Sequence, residues 1–251
     1  MVKPITKLLH PIHHSSIGVL KIFHSFFVLL ANLCGIYLRS ELTDQFTRDT
    51  GIECEVIVSS SGKLTAQIVA GAPYDLFVSA DMTYPETLHE KGFALQAPNI
   101  YAFGHLVLWT QKDLSLAALT AINPEHVALA NPETAPYGKA AEEAMHALGL
   151  DSLWQGRLVY GESIAQVNQF VSTGAADIGF TAQAVVMSPE LAEQGKWMAV
   201  ADSLYTPIAQ GALLLKGDQA RREKALKFYE FLFSDAAKEI LSKFGYSPAQ
   251  P

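Results

Sequence analysis

From residue 26 onward, short apolar runs alternate with amphipathic stretches of helical period, and this rhythm restricts the chain more than any other feature. A parallel pairing of strands needs a crossover, and a helix supplies it, so the pattern predicts an α/β fold with mostly parallel strands. "FFVLLA" (26–31), "ECEVIVS" (53–59) and "YDLFVSA" (74–80) read as strands. Between and after them, "ELTDQFTRD" (41–49), "GKLTAQIVA" (62–70) and "PETLHEKG" (85–92) read as helices, the second with Leu64, Ile68 and Val69 on one face. The second half repeats the order: strands at 105–110, 126–131, 156–162 and 176–182, with helices over 138–149 and 163–174. Late strands at 196–200 and 210–216 precede a helical tail from Gln219 to Phe244 that breaks near Ser234. No stretch has the composition of a linker, so two lobes joined by more than one chain crossing are expected.

With 251 residues, of which 49% are hydrophobic and 17% charged, the chain can bury two cores of about 100 residues each. A formal net charge of -7 argues against nucleic acid or an anionic membrane surface as a partner. It does not argue against a small anion, because a local potential can be positive inside an acidic protein. Cys34 and Cys54 have no metal-ligand spacing; they allow one disulfide or none, and two free thiols are expected.

Residues 1–24 read as a leader, carrying His10, His13, His14 and His24 without a core-like period. The uncharged run "FFVLLANLCGIYL" (26–38) is shorter than the roughly 20 residues that span a bilayer. It fits either a signal-peptide core behind Lys21 or the first buried strand.

Four strand-to-helix loops are chemically unusual: Ala31–Gly35, Ser59–Gly62, Asn131–Gly138 ("NPETAPYG") and Gly161–Gln166. Open α/β sheets bind ligands at the carboxyl ends of their strands, where such loops lie. These loops offer neutral donors: hydroxyls, an amide and backbone N–H groups. The first N–H groups of a helix lack an intrahelical acceptor, and the macrodipole adds about half a positive charge there. Several such ends together suit a dehydrated anion. Taken singly, each has a plainer reading as an N-cap or turn, so their joint placement carries the inference.

Other chemistries are poorly served. The P-loop G-x4-G-K-[ST], the dinucleotide G-x-G-x-x-G, the G-x-S-x-G elbow and H-E-x-x-H are all absent from the sequence. His105, His126 and His146 have no ligand spacing, and Glu142, Glu143, Asp44 and Asp49 read as solvated helix faces. Lys63 and Lys139 follow two of the loops and read as solvent-facing.

At these loops the chain resembles the substrate-binding proteins of molybdate ABC transporters, type II periplasmic binding proteins. The segments that carry the resemblance are "SSSGKLTAQIVAGAPYDLFVSAD" (59–81), "YAFGHLVLWT" (101–110), "ANPETAPYGKAAEEAMHALGL" (130–150) and "ESIAQVNQFVSTGAADIGFTA" (162–182). With the C-terminal helices it covers roughly residues 40–247. The resemblance implies two Rossmann-like lobes, residues 25–104 with 203–251 and residues 105–202, closing on molybdate or tungstate. It places contacts on Ser61 (hydroxyl and N–H), on the N–H groups of Tyr137 and Ile164, and on Asn32 in the first loop. Ala182 stands where some members carry a tyrosine, as in the subgroup with "APYG". Also implied are a membrane permease as partner, a periplasmic location, a monomer, no cofactor and no catalysis. A receptor for sulfate or another tetrahedral oxyanion, and a sensor of the same fold, are the alternatives.

Overall fold

The structure, a computed structural model, describes residues 26–31, 36–113 and 121–249. Two sheets organise it. The first has six strands in the order β11-β4-β10-β3-β1-β2, where β1 is Phe26–Ala31, β2 Cys54–Ser59, β3 Leu76–Val78, β4 Asn99–Gly104, β10 Ile208–Leu214 and β11 Ser247–Pro248. The second has five, in the order β7-β6-β8-β5-β9: β5 is Leu106–Thr110, β6 Val127–Ala130, β7 Leu158–Gly161, β8 Ile178–Ala182 and β9 Lys196–Ala199. The chain leaves the first sheet at Gly104, enters the second at Leu106, and returns between Ala199 and Ile208.

Helices flank both sheets because alternate strand residues point to opposite faces. On one face of the first sheet, Val28, Leu76, Val78, Ala212 and Leu214 pack against α1 (Ile36–Thr50), α8 (Gln219–Phe231) and α9 (Asp235–Lys243). On the other, Phe77 and Leu213 meet Leu64 and Ile68 of α2 (Ser61–Val69) and Leu88 of α3 (Thr83–Glu90). The second sheet sends Leu106, Leu108, Val127 and Phe180 toward α4 (Pro136–Ala147) and α5 (Leu150–Leu153). Its other face, with Val107, Trp109 and Ala128, takes Val167 and Val171 of α6 (Ile164–Ser172). The short α7 (Gln183–Val186) follows β8, and its Ala184 joins the core beneath the first sheet.

Strand register fixes where the loops emerge. β1, β2 and β3 are parallel, pairing Ala31 with Ser59 and Leu30 with Val78, so the carboxyl ends of all three lie at one edge. β6 pairs in parallel with β7, Ala130 opposite Gly161, and with β8. The loops that feed α4 and α6 therefore start side by side.

Local sequence explains the element ends. Ser234 caps α9, its hydroxyl accepting from Ala237 N–H at 3.2 Å, which is the break expected in the tail. Cys54 is a free thiol in β2, and its partial burial pushes its pKa up to about 11. Three expectations need correcting. α1 begins at Ile36 rather than near Glu41, because Leu38 and Leu42 are both buried against the first sheet. Pro85 is the third residue of α3, not its first. His105 lies between β4 and β5 rather than in a strand. Cys34, Asn32 and residues 1–24 lie outside the described residues.

Gly138 marks a close approach of α4 to the second sheet, since a Cβ there would run into the carbonyl of Ala130 at the end of β6. The obstacle is backbone, which cannot rotate aside. Gly138→Ala should therefore lower stability by about 1–3 kcal/mol, read as a lower urea midpoint with an unchanged slope. An unchanged midpoint would show that α4 is not seated this way.

Candidate functional site

The first group of donors is at the start of α2. Ser59 ends β2, and Ser60 is the N-cap, its hydroxyl accepting from Lys63 N–H at 3.4 Å while Leu64 N–H bonds Ser60 O at 3.0 Å. Ser61 is the first helical residue and is buried. Its oxygen accepts the hydroxyl of Ser79, which is fully buried just past the end of β3, at 3.1 Å. Ser79 Oγ in turn accepts from Asp81 N–H at 3.4 Å, and Ser79 N–H bonds Gly211 O at 2.7 Å. Gly62 makes room for a neighbour: a Cβ there would lie 3.1 Å from the hydroxyl of Tyr84.

The second group stands at the starts of α4 and α6. Asn131 N–H bonds Gly161 O at 2.8 Å, locking the ends of β6 and β7 together. Asn131 forms an Asx turn, its Oδ1 accepting from Glu133 N–H at 2.9 Å. In α4, Pro136 occupies the first position and Tyr137 the second, while the N–H groups of Gly138 and Lys139 turn back to Ala135 O. At α6, Ser163 caps by accepting from Gln166 N–H at 3.4 Å, and Ile164 takes the first helical position. Ser61, Tyr137 and Ile164 thus each sit in a first helical turn, where backbone N–H groups point out of the helix end. Tyr137 and Ile164 belong to adjacent helix starts on the second sheet, and Ser61 stands beside Ser79 on the first.

The buried Tyr137 ring also reaches the crossing, since a Cβ on Gly104 would collide with its hydroxyl. The two crossings are tied to one another. His105 Nδ1 is 2.9 Å from Asp202 Oδ1, its Nε2 is 2.7 Å from Ser247 Oγ, and Tyr205 donates to Asp202 at 2.6 Å. Burial would raise the Asp202 pKa, but the bonds from Tyr205 and His105 outweigh it and hold the carboxyl below its usual range. Glu143 is not merely a solvated face: Thr206, on the return crossing, donates to it through its N–H at 2.6 Å and its hydroxyl at 3.2 Å.

A groove of roughly 350 Å³ runs between the lobes, walled by Asp81, Thr83 and Tyr84 on one side and Pro132, Thr134 and Lys139 on the other. A larger cavity of about 690 Å³ opens on the second lobe, but Glu142, Glu143 and Asp151 line it, and three carboxylates disfavour an anion. Lys63 and Lys139 are exposed, as expected, and Lys139 lies 4.0 Å from Glu143. Among the described residues no cluster of histidine, cysteine or carboxylate could hold a metal ion, and no helix is long and apolar enough to cross a membrane. Sequence reasoning missed Ser79, Tyr84, Glu143 and His105. The signal for Ser79 was a hydroxyl ending an otherwise apolar strand; Glu143 and His105 had none, because their partners are distant in sequence.

Comparison with known proteins fits this geometry. Residues 37–247 match the family model described as bacterial extracellular solute-binding protein. The molybdate-binding protein ModA of Rhodobacter capsulatus is 39% identical over 210 residues, 82% of each chain. That of Azotobacter vinelandii is 37% identical over 212 residues, covering 82% of this chain and 83% of the relative. The solved structure of the Azotobacter vinelandii periplasmic molybdate-binding protein superposes with a TM-score of 0.78 at 33% identity, over 90% of this chain and all of that one.

Asp81 gives a testable pH dependence. Burial is the largest influence on its carboxyl and raises its pKa, against bonds from the N–H groups of Tyr84 and Thr83 and from Ser79. A carboxyl whose folded pKa is raised holds more protons folded than unfolded, so stability falls as pH climbs from the unfolded value of about 3.9 through the folded one. Asp81→Asn should raise the urea midpoint at pH 7, and the gain should vanish near pH 3. An equal gain at both pH values would assign the effect to something other than the charge.

Proposed function

Because the chain belongs to the family of bacterial extracellular solute-binding proteins, we propose that it binds molybdate as an intact oxyanion and delivers it to the membrane permease of an ABC transporter. The fold is the type II periplasmic binding protein fold. The observation that carries the reading is the start of α2: a buried serine at the first helical position, its oxygen held by a second buried serine rather than by a cationic side chain.

In the proposed complex the anion sits between residues 25–104 with 203–251 and residues 105–202, the two bodies that close on it. Ser61 donates its hydroxyl and N–H from the first lobe. Tyr137 and Ile164 donate N–H groups from the second, and Asn32 completes the set. These are donors only, and a donor-only site cannot satisfy an O–H on the ligand. Such a site favours a fully deprotonated dianion over hydrogen phosphate, and the span of the contacts then separates molybdate from the smaller sulfate. Hydrogen bonds to an ionic partner contribute about 1.5–3 kcal/mol each, so five offset much of the anion's desolvation. Tungstate, nearly the same in size and charge, binds equally under this reading. The protein works in the periplasm as a monomer, by binding and release without a catalytic step.

A thermal-unfolding screen tests the ligand class. A ligand at a hundredfold excess over Kd adds about 2.7 kcal/mol, which for a domain of this size is a rise of roughly 5–10 °C. Molybdate and tungstate should give that rise, and sulfate and phosphate at the same concentration should give little. Equal rises for all four would remove the molybdate assignment. In calorimetry, Ser61→Ala should weaken molybdate binding tenfold or more, the equivalent of about 1.4 kcal/mol. Unchanged affinity would remove Ser61 from the site.

A further inference from the structure

Ser79 touches no proposed ligand position, yet it is a hydroxyl with no exposed surface, placed where an apolar strand could have carried alanine or valine. Burying a hydroxyl costs free energy unless it is hydrogen-bonded. Its oxygen accepts from Asp81 N–H at 3.4 Å, and its single proton lies between two acceptors, Ser61 Oγ at 3.1 Å and the Asp81 carboxyl. Ser79 is also fixed along the backbone, its N–H bonded to Gly211 O at 2.7 Å across the sheet.

We infer that Ser79 is a positioning residue for oxyanion selection, fixing Ser61 as a donor; the inference rests on the oxyanion reading of the Ser61 site. A serine hydroxyl carries one proton and two lone pairs. Left alone, Ser61 could rotate to accept an O–H from a protonated ligand as readily as it donates to a bare oxygen. When Ser79 donates to it, one lone pair is filled and the Ser61 proton is directed away from Ser79. Hydrogen bonds in series polarise one another in a low-dielectric site, which strengthens that donation. A bound dianion can only accept, so it draws the Ser61 proton to itself and leaves Ser79 to donate to Ser61. Selectivity for a fully deprotonated anion is then set partly by a residue that the ligand never meets.

The test is a double-mutant cycle on the full chain, with affinities for molybdate, sulfate and hydrogen phosphate measured by calorimetry and by competition. Ser79→Ala should weaken molybdate binding about three- to tenfold, the size of one ordinary hydrogen bond. It should also improve hydrogen phosphate relative to sulfate, two tetrahedral dianions that differ in one O–H. In a Ser61→Ala background, Ser79→Ala should change neither the affinity nor the ratio, because Ser79 acts through Ser61. Ser79→Cys, close in volume but a weak donor, should fall between wild type and Ser79→Ala, and it serves in place of the alanine variant if that one fails to fold. A loss undiminished by Ser61→Ala, or an unmoved phosphate-to-sulfate ratio, would overturn the positioning role and leave the oxyanion reading standing. Unchanged molybdate binding in Ser61→Ala alone would instead overturn the Ser61 contact, and failure of the wild-type chain to bind molybdate would overturn the function reading, each taking this inference with it.

Discussion

Backbone N–H groups cannot be aimed one at a time; only a strand that ends in the right place and a helix that starts there can point them. That constraint organises this molecule. Parallel pairing of β1 with β2 and β3, and of β6 with β7, brings each set of strand ends to a common edge. Slipping β2 by one residue would turn its half-buried side chains, Cys54 and Val56 among them, outward and move the start of α2 with them. The serine caps, the lock between Asn131 and Gly161 and the close seat of Gly138 on Ala130 all serve the same end, which is to hold helix starts still. An electrostatic site of this kind gains from being rigid before the ligand arrives.

Electrostatics elsewhere on the chain suits selection more than attraction. The net charge is -7, Asp81 is buried two residues beyond Ser79, and the lysines beside the loops are exposed. A site built on lysine or arginine would hold many anions tightly and would tolerate protonated ones. Neutral donors depend on geometry, so they discriminate by shape and protonation. The bonds that tie His105, Asp202, Tyr205 and Ser247 across the two crossings work against free rotation of one sheet past the other, and Glu143 on Thr206 adds a second tie.

Most of the fold was legible because its signals are local. The apolar runs at 126–131 and 176–182 became β6 and β8, "SIAQVNQFVSTG" became α6 with Ser163 as its cap, and the break at Ser234 lies where the tail was expected to bend. Boundaries shifted where tertiary packing overrode local preference: α1 reaches back to Ile36 because the first sheet buries Leu38 and Leu42. At the site, Ser59 ends its strand where the apolar run did, and Ser60 fills the N-cap role that any one of these loops could have had. The Tyr84 hydroxyl beside Gly62 had no counterpart in the local sequence. Glu143 looked like a solvated face because Thr206 is 63 positions away. Pairings of that kind become visible only once the chain is folded.

Backbone donors survive alanine substitution, so the central claim is best tested at the amides themselves. An amide-resolved NMR titration of the isotope-labelled chain with sodium molybdate does this directly. The proposed site predicts that the N–H resonances of Ser61, Tyr137 and Ile164 shift together and saturate at one equivalent of molybdate. Shifts confined to the exposed lysines or to the acidic cavity of the second lobe, with those three amides unmoved, would contradict it.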